Sequence, residues 1–90
     1  MHLVKVDEYP TPGGQGSLPY ALASDDRGRL WFVETGPQPN RLVGFDPATK
    51  KVFATSEMKT QTVRHMVYDA VRRDLWFGTD ANTIARAKVP

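Results

Sequence analysis

One tripeptide occurs twice, and the rest of the chain is organised around it. Leu30-Trp31-Phe32 returns as Leu75-Trp76-Phe77, a shift of 45 residues. At the same shift Tyr20 falls on His65, Ala21 on Met66, Leu22 on Val67 and Ala23 on Tyr68. Asn40-Arg41-Leu42-Val43-Gly44 matches Asn82-Thr83-Ile84-Ala85-Arg86 after a gap of three residues in the second copy, and Lys51-Val52-Phe53 echoes Lys5-Val6-Asp7. A fixed period of this length means a supersecondary unit that cannot bury its apolar face alone and stacks on a copy of itself. A helical pair can have the same length, so local signals decide the class.

Those signals are short strands separated by turns. Tyr20–Ser24 runs into Asp25-Asp26-Arg27-Gly28, a tight turn whose glycine supplies positive φ. Arg29–Glu34 is aromatic and β-branched and stops at Gly36-Pro37-Gln38-Pro39. Arg41–Phe45, a turn at Asp46-Pro47-Ala48-Thr49-Lys50, and Val52–Ser56 complete four strands. Four strands at this spacing, repeated, are the signature of a β-propeller blade. The stretch from Thr62 to Arg73 dissents, because Val63, Met66, Val67, Ala70 and Val71 sit at helical spacing with no Gly or Pro among them. The repeat register overrules it and predicts a strand over Arg64–Tyr68, since the matching slot of the first copy holds the Asp25–Gly28 turn.

The composition excludes several classes. The chain has 90 residues and no cysteine, which removes disulfides, thiolate metal sites and a cysteine nucleophile. The longest apolar runs, Tyr20–Ala23 and Leu30–Val33, are four residues each, far short of the roughly 20 that a membrane helix needs. Twelve Lys and Arg stand against 10 Asp and Glu, a net charge of +2, and they are scattered rather than clustered. That pattern is a solvated surface, with no nucleic-acid partner and no membrane partner. No targeting segment is visible in the first residues, so the reading is a soluble chain of cytoplasm or periplasm, with any signal lying elsewhere if this is a fragment.

The residues also carry a family resemblance. Pro19-Tyr20-Ala21-Leu22, then Gly28-Arg29-Leu30-Trp31-Phe32-Val33-Glu34, then Asn40-Arg41-Leu42-Val43-Gly44-Phe45-Asp46-Pro47 resembles one blade of the streptogramin lyase (virginiamycin B lyase) family. Arg64-His65-Met66-Val67, Leu75-Trp76-Phe77 and Asn82-Thr83-Ile84-Ala85-Arg86 are similar to a second. The resemblance covers about 80 of the 90 residues. It implies a seven-bladed propeller that opens a cyclic depsipeptide by elimination at an ester, with Mg2+ as cofactor. It also implies an active-site histidine and glutamate. By position His65 matches the histidine, while the glutamate slot of that copy holds Thr79, followed by Asp80. In the other copy the glutamate is present as Glu34 and the histidine slot holds Tyr20. Each copy therefore has half of the pair.

Elimination needs a base for the proton α to a carbonyl, and an acid or cation to support the departing carboxylate. Imidazole suits proton transfer near neutral pH, and a carboxylate can orient it or ligate a hard cation. His65 and Glu34 are thus the candidate catalytic pair, meeting across adjacent blades. Tyr20, Arg64, Asn40, Asn82, Thr79 and Asp80 are the candidate substrate-binding residues. The bland readings are a hydrogen-bonded rim residue for His65 and a solvated carboxylate facing Arg41 for Glu34. Gly13-Gly14-Gln15-Gly16-Ser17 lacks the lysine and helix of a phosphate loop and reads as a flexible connector. His2 and His65 are too distant in sequence to suggest a metal pair, and Asp25-Asp26 lacks the alternating ligands of a calcium loop.

Three functions emerge: a streptogramin-lyase-like enzyme, a non-catalytic propeller module that binds a peptide or protein on its upper face, and a metal-dependent lactonase-like propeller drawing on Glu34, Asn40 and Asn82. The predicted architecture is all-β. It has an outer strand of a neighbouring blade in residues 1–12, a first blade in 18–58, and a second blade in 62–90 that lacks its outer strand. Trp31 and Trp76 are the predicted main packers, with Leu22, Leu42, Val67 and Ile84 beside them. The missing strand of the second blade is supplied by Leu3–Tyr9 or by another chain, so self-association through strand exchange is expected.

Overall fold

The computed structural model describes residues 3–59 and 63–90. All regular structure among them is β. Four strands, β1 (Pro19–Ser24), β2 (Leu30–Glu34), β3 (Arg41–Asp46) and β4 (Lys51–Glu57), form one antiparallel sheet in sequential order. Three more, β5 (Met66–Asp69), β6 (Asp74–Gly78) and β7 (Ile84–Lys88), form a second. The helical spacing after residue 62 does not produce a helix. Met66–Asp69 pairs with β6, and the residues after it form the turn. Tertiary pairing overrides a short periodic signal here, because Met66, Tyr68, Leu75 and Phe77 are what the first sheet needs against it.

Local chemistry sets the turns. Gly28 takes φ 73° at the β1–β2 turn, a left-handed conformation that glycine adopts without a Cβ clash. Asp25 organises the same turn by accepting from the Arg27 and Arg29 amides at 2.9 and 3.0 Å. The β5–β6 turn is one residue shorter. As a result Ala23 stands opposite Trp31 in the first sheet and Val67 stands opposite Trp76 in the second. In β1 a bulge between Tyr20 and Ala23, with Ala21 at φ 60°, turns the Ala21 side chain into the core.

The core lies between the sheets. Ala21, Trp31, Val33 and Leu42 on the near face of the first sheet meet Met66, Leu75 and Phe77 on the near face of the second, with Val63 and Val89 closing the sides. Trp31 donates its indole N–H to Asp25 at 2.9 Å and meets Phe53 edge-on at 5.2 Å between centroids. Gly44 sits directly across from Trp31, and a Cβ there would come within 2.8 Å of both Trp31 and Phe53. The glycine is what lets the indole approach the β3 backbone this closely.

Two expectations are corrected. Leu22 is 65% exposed because it stands on the far face of the first sheet. Val67 and Ile84 are 65% and 78% exposed, and Trp76 is only half-buried, because all three lie on the face of the second sheet turned away from the first. Within the chain, residues 3–11 lie in no strand, and the second sheet has three strands among the described residues. Tyr9 packs against Phe45 with its ring tilted, 5.4 Å between centroids, and Tyr9, Pro10 and Thr11 run across the far face of the first sheet beside Leu22, Leu30 and Phe32.

Candidate functional site

The two sheets share an orientation. Tyr68 donates its hydroxyl to Asp26 at 2.9 Å, and Arg29 and Arg73 both donate to the Pro90 carbonyl. These bonds gather the β1–β2 and β5–β6 turns at one end. The candidate site residues therefore all fall toward the opposite end, where β1 and β5 start and β2 and β6 finish. Within that end they divide into two groups.

The first group belongs to the first sheet. Glu34, the last residue of β2, is fully buried on the far side of its sheet. Its Oε2 accepts from the Gly13 amide and the Ser17 hydroxyl, both at 2.6 Å, and its Oε1 accepts from Arg41 Nε at 2.9 Å. Burial works to raise the carboxyl pKa, and the bonds from Ser17, Gly13 and Arg41 outweigh it and hold the group below its ordinary value. The glycine-rich connector does cradle an anion, and the anion is the chain's own Glu34. Asn40 is also buried. Its side-chain amide donates to the Thr35 and Pro37 carbonyls at 3.2 and 2.9 Å, which fixes the loop between β2 and β3. Tyr20 is 57% exposed and lines an apolar depression of about 440 Å3 with Thr11, Pro19, Leu22 and Phe32.

The second group belongs to the second sheet. Arg64, His65, Gly78, Thr79 and Asp80 line an open cleft of about 400 Å3 at the start of β5 and the end of β6. Arg64 and His65 are exposed. The Thr79 hydroxyl shares a 2.7 Å hydrogen bond with that of Thr83 and accepts from the Ala81 amide at 3.2 Å, so it holds the β6–β7 turn. Asn82 is an exposed turn residue at φ 63°. Beside the cleft and sharing His65 and Gly78 with it, Val67, Trp76 and Ile84 form a shallow apolar strip.

The structure brings Arg64, His65, Thr79 and Asp80 together. Glu34 faces away from the second sheet and His65 precedes β5 on that sheet, so the sequence-predicted pair does not meet within the chain. His2 lies outside the described residues. Among the described residues no three of His, Asp and Glu converge on one point. Mg2+ prefers several oxygen ligands. The cleft offers the Asp80 carboxylate and the Thr79 hydroxyl beside a guanidinium, while the Glu34 oxygens are already occupied. That donor set does not fit the ion. Sequence reasoning missed Ser17 and Gly13 as partners of Glu34 and Asp25 as the acceptor for Trp31. The Asp25 carboxyl, too, is held below its ordinary value. Burial opposes this, but the bonds from Trp31, Arg29 and Arg27 prevail.

Comparison with protein-family models, with curated proteins and with solved structures returns no match for this chain.

Proposed function

We propose that the two sheets are successive blades of a β-propeller and that the module works by binding a peptide or protein at its upper end, not by catalysis. The observation that carries this reading is Glu34. A carboxylate with no exposed surface and three donors on its oxygens serves to hold the 11–18 loop against β2 and β3. It is poorly placed to exchange a proton with a substrate, because general acid–base groups need hydrogen-bond reach to the reacting atom. The second sheet supports the binding side of the reading. Arg64, His65 and Thr79 border a cleft open to solvent. Donors at the rim of an open cleft suit a peptide segment that carries a carboxylate.

A second reading, elimination on a cyclic depsipeptide, draws on one feature: His65 is exposed in the same cleft as Asp80. The lactonase-like reading draws less support, since Glu34 and Asn40 are buried and Asn82 is on the other sheet.

The experiment is incubation of the chain with a type B streptogramin, with and without Mg2+, and then mass spectrometry. The binding reading expects no conversion. A linear product of unchanged mass that disappears in His65→Ala would replace it with elimination, and a product heavier by one water would point to hydrolysis.

A further inference from the structure

The two open faces of this molecule are complementary copies of the two faces already in contact at its centre. Strand register makes the equivalence explicit. Trp31 pairs across to Ala23 and Gly44, and Trp76 pairs across to Val67 and Arg86. Val33 pairs with Leu42, and Gly78 pairs with Ile84. The far face of the second sheet, with Val67, Trp76 and Ile84, therefore repeats the near face of the first. Likewise the far face of the first sheet repeats the near face of the second. Leu30 and Phe32 occupy the positions of Leu75 and Phe77, and Leu75 and Phe77 are 0% and 7% exposed under the first sheet. Each face that is buried at the centre thus has an equivalent at one end of the chain: Val67 and Ile84 are exposed on the second sheet, and on the first Leu22 is exposed while Leu30, Phe32 and Phe45 are half-buried beside Tyr9, Pro10 and Thr11.

The same logic holds at the edge. The first sheet ends in β4, where Val52 pairs with Phe45 and Ala54 with Gly44. The second sheet stops at β7 with no fourth strand among the described residues. Lys5-Val6-Asp7 is the sequence echo of Lys51-Val52-Phe53, and Leu3, Val4 and Val6 are 90%, 86% and 75% exposed and lie in no strand. Transferring the β3–β4 register places Val6 opposite Ala87 and Glu8 opposite Arg86, an apolar pair next to an ion pair. Lys5 then faces Lys88, and each of these has a carboxylate nearby, Asp7 at 3.7 Å and Asp74 at 3.6 Å.

We infer that the occupant of both open surfaces is a second copy of this chain, docked head to tail. In the docked pair its residues 3–9, with Tyr9, leave the far face of its first sheet to add a fourth strand to β7, and that face covers Val67, Trp76 and Ile84. This rests on the blade reading above and on no activity. The contact is heterologous, so repetition closes a ring when the rotation per copy allows it: two copies bring four sheets, three bring six and four bring eight. The arrangement also places Glu34 and Tyr20 of one copy beside the His65 cleft of the next.

Sedimentation and interchain cross-linking of the full chain test the inference. The natural chain lacks cysteine, so Val6→Cys combined with Ala87→Cys reports one contact without background. The expected result is a natural chain larger than a monomer at micromolar concentration, and a ladder of disulfide-linked multimers from the double variant. Ile84→Asp, at a side chain 78% exposed within the chain, should keep its β circular dichroism and weaken association by at least roughly tenfold. A natural chain that sediments as a folded monomer overturns the inference. So does an oligomer whose double variant forms no interchain bond, or one that Ile84→Asp leaves intact. Turnover of a depsipeptide would sink the binding reading and leave this one standing.

Discussion

Trp31 and Trp76 hold the same position in the repeat and have opposite surroundings. Trp31 is 3% exposed, packs against Gly44, donates to Asp25 and is covered by the second sheet. Trp76 is half-buried, stands across from Arg86, whose guanidinium sits 5.9 Å from its ring, and has no sheet above it among the described residues. The difference is not written in either tryptophan. It comes from the neighbour of each sheet: the first has the second sheet packed on it in the same chain, and the far face of the second has none among the described residues. In a stacked repeat, burial is a property of the neighbour rather than of the position.

The comparison is most easily broken by truncation. Trp31→Ala should cost about 3–5 kcal/mol, the range for deleting a buried large side chain and leaving a cavity. Trp76→Ala in dilute solution should cost roughly 1 kcal/mol or less, as for a partly exposed surface residue. Urea denaturation of both variants measures the difference. Equal losses would mean that the two faces are equally covered.

A smaller effect is expected at Glu34, which separates the first sheet from the second by its buried polar clasp. Glu34→Gln keeps the shape but replaces an acceptor by a donor, and should cost about 1–3 kcal/mol. The carboxyl is held below its unfolded value of 4.5. The unfolded chain therefore takes up a proton that the folded chain refuses. The stability this group contributes is complete above that unfolded value and is lost as pH falls through the folded one. Asp25 acts in the same direction from 3.8. Stability should decline as pH falls below about 5, and the decline should be shallower in Glu34→Gln than in the natural chain. An unchanged slope would show that Glu34 is not held in its ionised form by Gly13, Ser17 and Arg41.

Much of the fold was legible from the repeat. The strand slots, the Gly28 turn and the strand after residue 65 derive from the two Leu-Trp-Phe segments and the turn residues between them. Which face of each strand is covered was not legible, because alternation marks two faces and says nothing about which meets a neighbour. The one-residue difference in the β1–β2 and β5–β6 turns added to this. It pairs Val67 with the Ala23 position, so residues aligned by sequence, Leu22 and Val67, lie on opposite kinds of face. At the candidate site, His65 with Arg64, Thr79 and Asp80 came together as adjacent strand ends predict. The burial of Glu34 was hidden because its partners Gly13 and Ser17 lie 21 and 17 residues away in sequence, in a stretch whose composition suggests only a connector.

If one tryptophan face is covered within the chain and its equivalent by a second copy, the two indoles respond differently to dilution. Trp76→Phe leaves Trp31 as the sole tryptophan, and Trp31→Phe leaves Trp76 as the sole tryptophan. Acrylamide quenching of each is measured as the protein is diluted from high to low concentration. Trp31 should stay protected throughout, while Trp76 should be protected at high concentration and become accessible on dilution. Equal accessibility of the two at every concentration would contradict the covering of Trp76 by a second copy.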